Sequence, residues 1–477
     1  YQTPELIRKT YDLQIATKGI LLNATTKTKN AILSSRDKKL IKLYETWLDQ
    51  KEELARFYTY TKAEIKEEKI NLDSLEKATE ATEKKLSLSS NLFVADQKEL
   101  TYKQVAAALK PNEAAVEIIN FQKHNHFLTD TSLYAAIVVR NGAAPKYIEI
   151  PNSQELDKKY YSYYKNTIIS RSQDKYSYQK YWASIDSSLK GKTDIYVSVD
   201  GIYNLINLNT LRLPNNEYLI DRYNLHYVLN TKTVVLKKPT PAPVEKVAVL
   251  FGNPAYGNGE IIASLPGTKI EVDKASQHLK ANGFKTKVYT QEYASEANIK
   301  AVKSPYILHI ATHGFFQPDA STSDHEGLDF GMASQRAEEN ALLRGGLLLA
   351  GAEKSLNNAD SLEVKSADDG VFTAYEAMNM NLEKTEIVFL SACETGKGET
   401  KAGEGVYGLQ RAIQVAGAES VVMSLWKVSD EATQHLLNIF YKEWFKTKNK
   451  SLSMIKAQKE LKKKFPEPIF WGAFIII

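Results

Sequence analysis

Apolar residues in the first ninety positions recur at helical spacing: Leu40, Leu43 and Tyr44, Trp47, Leu54 and Tyr58, then Leu72, Leu75, Ala78 and Leu86, on a background of Lys, Glu and Thr. That period predicts two or more long helices packed as hairpins. After "LKPNEAAVEIINF" the pattern shortens to β-branched runs, which predict strands over 114–121, 133–140 and 147–150. A tyrosine-rich stretch, 160–182, returns to helix. "TDIYVSVDGIYNLINLNTL" then predicts a strand, a turn at Asp200 and Gly201, and a second apolar segment. The prolines of "LKKPTPAPVEK", residues 236–246, break any regular element and mark a domain boundary.

Beyond the prolines, strands and helices alternate. "KVAVLFGNP", "KTKVYT", "YILHIATHG", "TEIVFLSAC" and "SVVMSLW" have the continuous apolar character of buried strands. Helices are predicted over 267–282, 296–302, "EGVYGLQRAIQVAG" and "DEATQHLLNIFYKEWF", with a last helix and a short strand to follow. Between Phe315 and about Lys384 the pattern predicts a long irregular insertion. The expected class is α/β: a mostly parallel sheet covered by helices on both faces. The chain divides into a helical region 1–92, an α/β segment 93–236, the linker 237–246 and a second α/β segment 247–477.

Composition narrows the picture. The 477 residues suffice for two to four domains at about 150 residues each, and 43% hydrophobic with 25% charged residues is an ordinary globular balance. A net charge of +5, from 62 basic and 57 acidic residues, gives no single basic stripe and so implies no nucleic acid. One cysteine cannot close an intramolecular disulfide, which fits a reducing, cytoplasmic setting. No apolar run is long enough to span a membrane. Starting at Tyr1 and stopping in "FWGAFIII", the chain has the marks of a trimmed piece of a longer protein.

In an open parallel sheet, reactive groups collect at the carboxyl ends of strands. "YILHIATHG" ends at His313 and Gly314, and "TEIVFLSAC" ends at Cys393, the only cysteine. A thiol becomes a nucleophile as its thiolate, so it needs a neighbouring base; if the two strands are neighbours, His313 supplies it. The attacked carbonyl also needs donors, and the backbone N–H groups of Gly314 and Cys393 are candidates for an oxyanion hole. Either residue alone is explained by packing. Their conjunction at two strand ends is what points to chemistry.

Other patterns carry less. Gly403 to Gly408 spell G-x-G-x-x-G ahead of a helix, but the glycines begin well past the strand end, where no phosphate cradle forms. Glu399 stands where a phosphatase loop needs an arginine. His309 and His313 share one side of a strand with no further zinc ligands, and the pair His124 and His126, on either side of Asn125 in a turn, reads as solvated loop. No metal or cofactor is expected.

"YILHIATHGFF", "NALLRGGLLLAGA", "DGVFTAYEAMNMNLEKTEIVFLSACETGKGE", "GEGVYGLQRAIQVAGAESVVMSLWKVSDEAT" and "PEPIFWGAF" together resemble the CHAT domain, a caspase- and separase-related cysteine peptidase domain commonly found behind tetratricopeptide repeats. The resemblance runs from about Glu113 onward and is most specific from Tyr306 to Trp426. It implies a caspase-like fold, His313 and Cys393 as a catalytic dyad, and a protein substrate. It also implies that 93–236 is a pseudo-protease half, with "VSVDGIYNLINLNTL" matching its signature. The "LWKVSD" segment resembles a separase strand whose aspartate lines a pocket for a basic P1 side chain, a role that falls on Asp430; Ser429 or Asp430 equally suits the cap of the next helix. The helical 1–92 resembles what joins such repeats to the domain. A regulatory protein partner acting through that region is therefore expected, and the insertion is expected to depend on it for order. The alternative is a catalytically silent scaffold on the same fold.

Overall fold

The computed structural model describes residues 3–19, 32, 35, 37–58, 65–66, 68–90, 100–125, 127–236, 245–316, 340–357, 368–392, 399–401, 405–427 and 429–477. Two sheets organise them. The first is built from β1 (Glu113–Asn125), β2 (Phe127–Arg140), β3 (Lys146–Glu149), β4 (Asp194–Ser198) and β5 (Asn224–Tyr227), in the order β3-β2-β1-β4-β5. β1 and β2 form one long antiparallel hairpin that continues past the predicted strand ends, with its tip at His124 to Leu128. The polar residues Gln122 and Lys123 hide this extension in the sequence. β4 and β5 are parallel to β1 and to one another.

The 160–182 stretch does not form one helix. It breaks into a π-helical turn, the helix Tyr161–Ile169 and two short turns ending at Asp186. Its tyrosines carry the packing and satisfy buried polar groups: Tyr181 Oη donates to the Leu156 carbonyl at 2.9 Å, and the Tyr181 carbonyl accepts from Tyr203 Oη at 2.9 Å.

The helix Pro4–Thr17 lies on the first sheet instead of standing apart with the helices that follow. Tyr11 and Ile15, one turn apart, are buried against Ala115, Ile137 and Val139. Lys18 seals the junction through a buried ion pair with Glu117, 3.1 Å long, and Thr231 donates twice more to that carboxylate. An uncompensated Glu117 would be costly there.

The helices Lys38–Tyr58 and Leu72–Ser90 form the expected hairpin. Trp47 Nε1 reaches Glu83 and Tyr58 Oη reaches Glu76, which sets them antiparallel. The hairpin touches the rest of the molecule at Tyr375, whose ring meets that of Tyr58 edge-on at 6.3 Å and lies under the Lys51 ammonium at 5.0 Å.

The second sheet begins with β6 (Val247–Pro254), β7 (Lys285–Gln291) and β8 (Ile307–Phe316). It continues with β9 (Gly345–Leu348), β10 (Val371–Thr373) and β11 (Ile387–Ala392). After a separate small hairpin, β12 (Glu399–Lys401) with β13 (Gly405–Tyr407), it closes with β14 (Val421–Ser424) and β15 (Phe474–Ile476). Its main order is β7-β6-β8-β11-β14-β15, parallel throughout except for the β15 edge.

Both faces are covered, as the continuous apolar strands require. Leu250 and Phe389 point to the helices Pro266–Ala281 and Asp430–Thr447, while their neighbours Phe251 and Leu390 point to the opposite core with Ile299 and Ile413.

Two expectations give way here. The segment after His313 is not an irregular insertion throughout: β8 runs on to Phe316, pairs with β9, and β9 pairs with β10, with helices Ala352–Asn357 and Ala374–Ala377 beside them. Gly346 is needed in this narrow layer, because a Cβ there would overlap the Phe372 carbonyl oxygen. Residues 317–339 lie outside the described part. The predicted "EGVYGLQRAIQVAG" helix is likewise shorter, Leu409–Val415, with Gly405–Tyr407 taken into β13 because their backbone pairs with 399–401.

The two sheets share packing. Met423, Leu425 and Ile475 of the second belong to the core of the first. Asn207 crosses between them, its side-chain amide donating to the carbonyls of Gly472 at 2.7 Å and Phe474 at 3.5 Å, and Gln458 donates to the latter at 2.8 Å.

Candidate active site

In the main sheet β6 is followed by β7 on one side, while β8, after β9 and β10, is followed by β11 on the other, and the carboxyl ends of strands around such a reversal are the usual place for reactive groups. His313 stands at the carboxyl end of β8, just past its pairing with β11. Four residues before it on the same side of β8, His309 is fully buried, bonded to Glu271 at 2.8 Å and Tyr441 at 3.3 Å. His309 is thus a core residue with its partners satisfied, and the described residues hold no group of three or more side chains able to bind a metal ion.

The His313 ring is oriented by backbone. Nε2 lies 2.8 Å from the Ala263 carbonyl oxygen, in the segment between β6 and the helix Pro266–Ala281. A carbonyl only accepts, so Nε2 carries the proton and Nδ1 keeps its lone pair. The Tyr256 ring lies against the imidazole, centroids 5.2 Å apart. Its hydroxyl accepts from the His313 N–H at 3.2 Å and donates to Thr312 Oγ1 at 2.7 Å; Thr312 in turn donates to the Leu348 carbonyl. Each hydroxyl of this relay both gives and takes one hydrogen bond, which fixes the strand end. Burial, aided by the nearby Lys427 ammonium, pushes the His313 imidazole below its ordinary value, and the Ala263 hydrogen bond offsets part of the effect. His313 is accordingly neutral at pH 7.

β11 is the parallel neighbour of β8, and the register sets Ala392 opposite Thr312. These are the residues immediately before Cys393 and His313. Cys393 itself lies outside the described residues, as do Gly403 and Glu404 of the glycine motif and His126. Ser424 Oγ of β14 donates to the Ala392 carbonyl at 2.5 Å, holding the end of β11 in place. Gly314 is within β8, opposite Leu347, and not in a turn after the strand. The β12–β13 hairpin beyond β11 rests on the turn Gly201–Leu205, so the first sheet reaches the neighbourhood of this strand end.

Asp430 is exposed in the first turn of the helix Asp430–Thr447, and the N-cap is Ser429, whose side chain accepts from the Ala432 N–H at 3.3 Å. The capping role expected of either residue belongs to Ser429. The Asp430 carboxylate lies instead over Gly267, where a Cβ would overlap Oδ2, close in sequence to the Ala263 that holds His313. It has no ion-pair partner among the described residues. Because β14 is the neighbour of β11, Asp430 and the two strand ends share one edge of the sheet.

Tyr256, Thr312, Ala263, Ser424 and Glu353 escape a reading of the sequence. The first four act through hydroxyls or a carbonyl that many residues possess. Glu353 is only 1% exposed and accepts main-chain N–H groups from Gly259 at 2.8 Å, Ile262 at 3.2 Å and Ile261. Nothing local in "GAEKSLNN" signals that.

A family model described as the CHAT domain matches residues 178–477. Among curated proteins, "Tetratricopeptide repeat protein 28" of Mus musculus is 25% identical over 285 residues, and that of Homo sapiens is 23% identical over 277; each alignment covers 55% of this chain. The chain spans 11% of the length of these relatives. Among solved structures, a Saccharomyces cerevisiae separase–securin complex aligns over 68% of this chain and 18% of its own, with TM-score 0.36 and 10% identity. The complex of the Porphyromonas gingivalis RgpB pro- and mature domains aligns over 69% of this chain and 76% of its own, with TM-score 0.35 and 9% identity.

Proposed function

Since the chain belongs to the CHAT domain family, we propose that it is a cysteine endopeptidase that cleaves a protein substrate with Cys393 as nucleophile and His313 as base. The observation that carries this reading is the β8–β11 register, Thr312 opposite Ala392, with an imidazole whose Nδ1 is left unprotonated beside it.

In the proposed reaction Nδ1 of His313 takes the thiol proton of Cys393, and the thiolate attacks the scissile carbonyl carbon. The backbone N–H groups of Gly314 and Cys393 receive the oxyanion. Collapse breaks the C–N bond as His313 returns its proton to the leaving amine, and water then hydrolyses the thioester, restoring the thiol. Asp430 supplies the negative charge for a Lys or Arg side chain at P1.

Residues 247–477 form the catalytic part and 93–236 its non-catalytic companion. Control enters through the helical hairpin, because its Tyr58 and Lys51 rest on Tyr375, in the helix Ala374–Ala377 that follows β10. A protein partner that moves the hairpin thereby acts on the layer beside His313.

An electrophilic peptide probe tests the central claim. Labelling at low reagent concentration that is lost in Cys393→Ala and strongly slowed in His313→Ala is the expected result. Equal labelling of His313→Ala and wild type would remove the dyad.

A further inference from the structure

The loop after β6 that holds His313 does not hold itself. Residues 255–265 contain no regular element until the helix starting at Pro266, and the sequence "AYGNGEIIASL" has two glycines in it. What gives this loop one shape is the segment between β9 and β10. Main-chain bonds join the two: Gly351 N–H donates to the Ala255 carbonyl at 3.0 Å, and Glu353 N–H to that of Tyr256 at 3.0 Å. The Glu353 side chain then reaches into the loop and collects the N–H groups of Gly259, Ile261 and Ile262. Those N–H groups, the Ile261 bond foremost, hold its carboxyl below the ordinary range, so the acceptor is ionised. One residue past Ile262 is the carbonyl that orients His313. Gly257 is part of the same fit, since a Cβ there would overlap Glu353 Oε2.

We propose that Glu353 is the positioning residue of His313: by binding three main-chain N–H groups of the 259–262 loop it sets the Ala263 carbonyl that holds Nε2–H and leaves Nδ1 unprotonated at the β8 end. The inference rests on the peptidase reading for its consequence and on the hydrogen bonds alone for its geometry. It assigns a task to the segment between the two proposed catalytic residues. That segment carries the part that aligns the base.

A substitution series tests it, with two readouts. Because Cys393 is the only cysteine, the rate of iodoacetamide alkylation reports that thiol alone. Titration of His313 by NMR of ring-labelled histidine, assigned by its absence in His313→Ala, reports the imidazole independently of any proteolysis. Glu353→Ala is expected to slow alkylation by about tenfold to a hundredfold, the scale of a misplaced reacting group, and to shift the His313 titration away from its wild-type value as the ring loses its Ala263 acceptor and its burial changes. Glu353→Gln keeps one acceptor oxygen and is expected between Glu353→Ala and wild type. Gly257→Ala displaces the carboxylate without removing it and is expected to act in the same direction, so the test survives if Glu353→Ala does not fold. A His313 titration unchanged in both the Glu353→Gln and the Gly257→Ala variants would overturn the proposal. Failure of the peptidase reading looks different: wild type and His313→Ala would alkylate at one rate, while the titration would still show whether Glu353 sets the ring.

Discussion

The carboxyl ends of β4 and β8 offer the same opportunity in the two sheets and are treated in opposite ways. After β4 comes Asp200, fully buried, its two oxygens taking the N–H groups of Gly201 at 2.9 Å and Asn120 at 3.2 Å. The next N–H, of Ile202, goes to Tyr134 Oη at 3.0 Å, and that hydroxyl donates to Asp157 at 2.5 Å. These groups all have protein partners, and a substrate has nothing to bind. Within the last residues of β8, past its pairing with β11, stands His313, half-buried, with Nδ1 unpartnered among the described residues and the exposed Asp430 on the same edge. A closed strand end serves stability. An open one has bonding capacity left over for something that arrives later.

Exchanging the two kinds of damage should break the comparison most visibly. His313→Ala is expected to cost about 10³-fold or more in peptide cleavage with a thermal midpoint close to wild type. Asp200→Ala should do the reverse: two buried N–H groups lose their acceptor, costing about 2–4 kcal/mol, while cleavage per folded molecule is kept. Thermal unfolding and turnover on the same preparations decide it, and a stable, inactive Asp200→Ala protein would erase the distinction.

Asp430→Asn comes next in size. Ser429 already caps the helix, so stability should hold, while cleavage after Lys or Arg should fall by about ten- to a hundredfold as a charge-assisted contact becomes a neutral one. A peptide-library profile is the check, and an apolar P1 preference in wild type would remove the pocket.

Tyr256→Phe sharpens the comparison further, because it opens a sealed element at the β8 end. Loss of the relay hydroxyl should cost about 1 kcal/mol in chemical denaturation. The smallest effect concerns pH. With the His313 value depressed below 6.5, the neutral base persists to lower pH, and the acid limb of alkylation or turnover should fall below pH 6.5. The unfolded chain takes up that proton more readily, so the histidine's contribution to stability is present above pH 6.5 and is lost as pH falls through the folded value. Lys427→Ala removes a repelling cation and should shift the limb upward by roughly a few tenths of a pH unit, the scale of one exposed charge. A limb above 6.5 in wild type would contradict the burial of the ring.

How far the sequence discloses all this depends on the range of the interaction. β6, β8, β11 and β14 are legible because burial on two faces writes itself as an unbroken apolar run, and His313 is legible because it ends one. β9 and β10 are not. Gly345 and Gly346 have no strand signature, and they become strands only because β8 extends far enough to pair with them. Residues 405–407 read as helix because their apolar spacing continues that of Leu409 onward, whereas their backbone partners, 399–401, lie on the other side of the glycines. Asp430 and Ser429 are interchangeable as caps in the sequence, and only the side-chain geometry separates them. Glu353 is the extreme case. Its partners are backbone N–H groups more than ninety residues away, and a backbone N–H has no letter in the alphabet.

Asn207 has a consequence for the order in which the molecule can be made. Its amide grips the carbonyls on either side of β15's start, across 265 positions to Gly472, and β15 is the strand that covers the outer edge of β14. Ring closure over such a separation adds little entropy penalty beyond that of a shorter loop, but it cannot happen before both partners exist. On a translating ribosome the parallel core through β14 is therefore complete while its last edge still shows unpaired N–H and C=O groups, the feature that invites strand addition from another chain. Until the covering strand emerges and Asn207 takes hold, that edge of the nascent protein stays open to such addition.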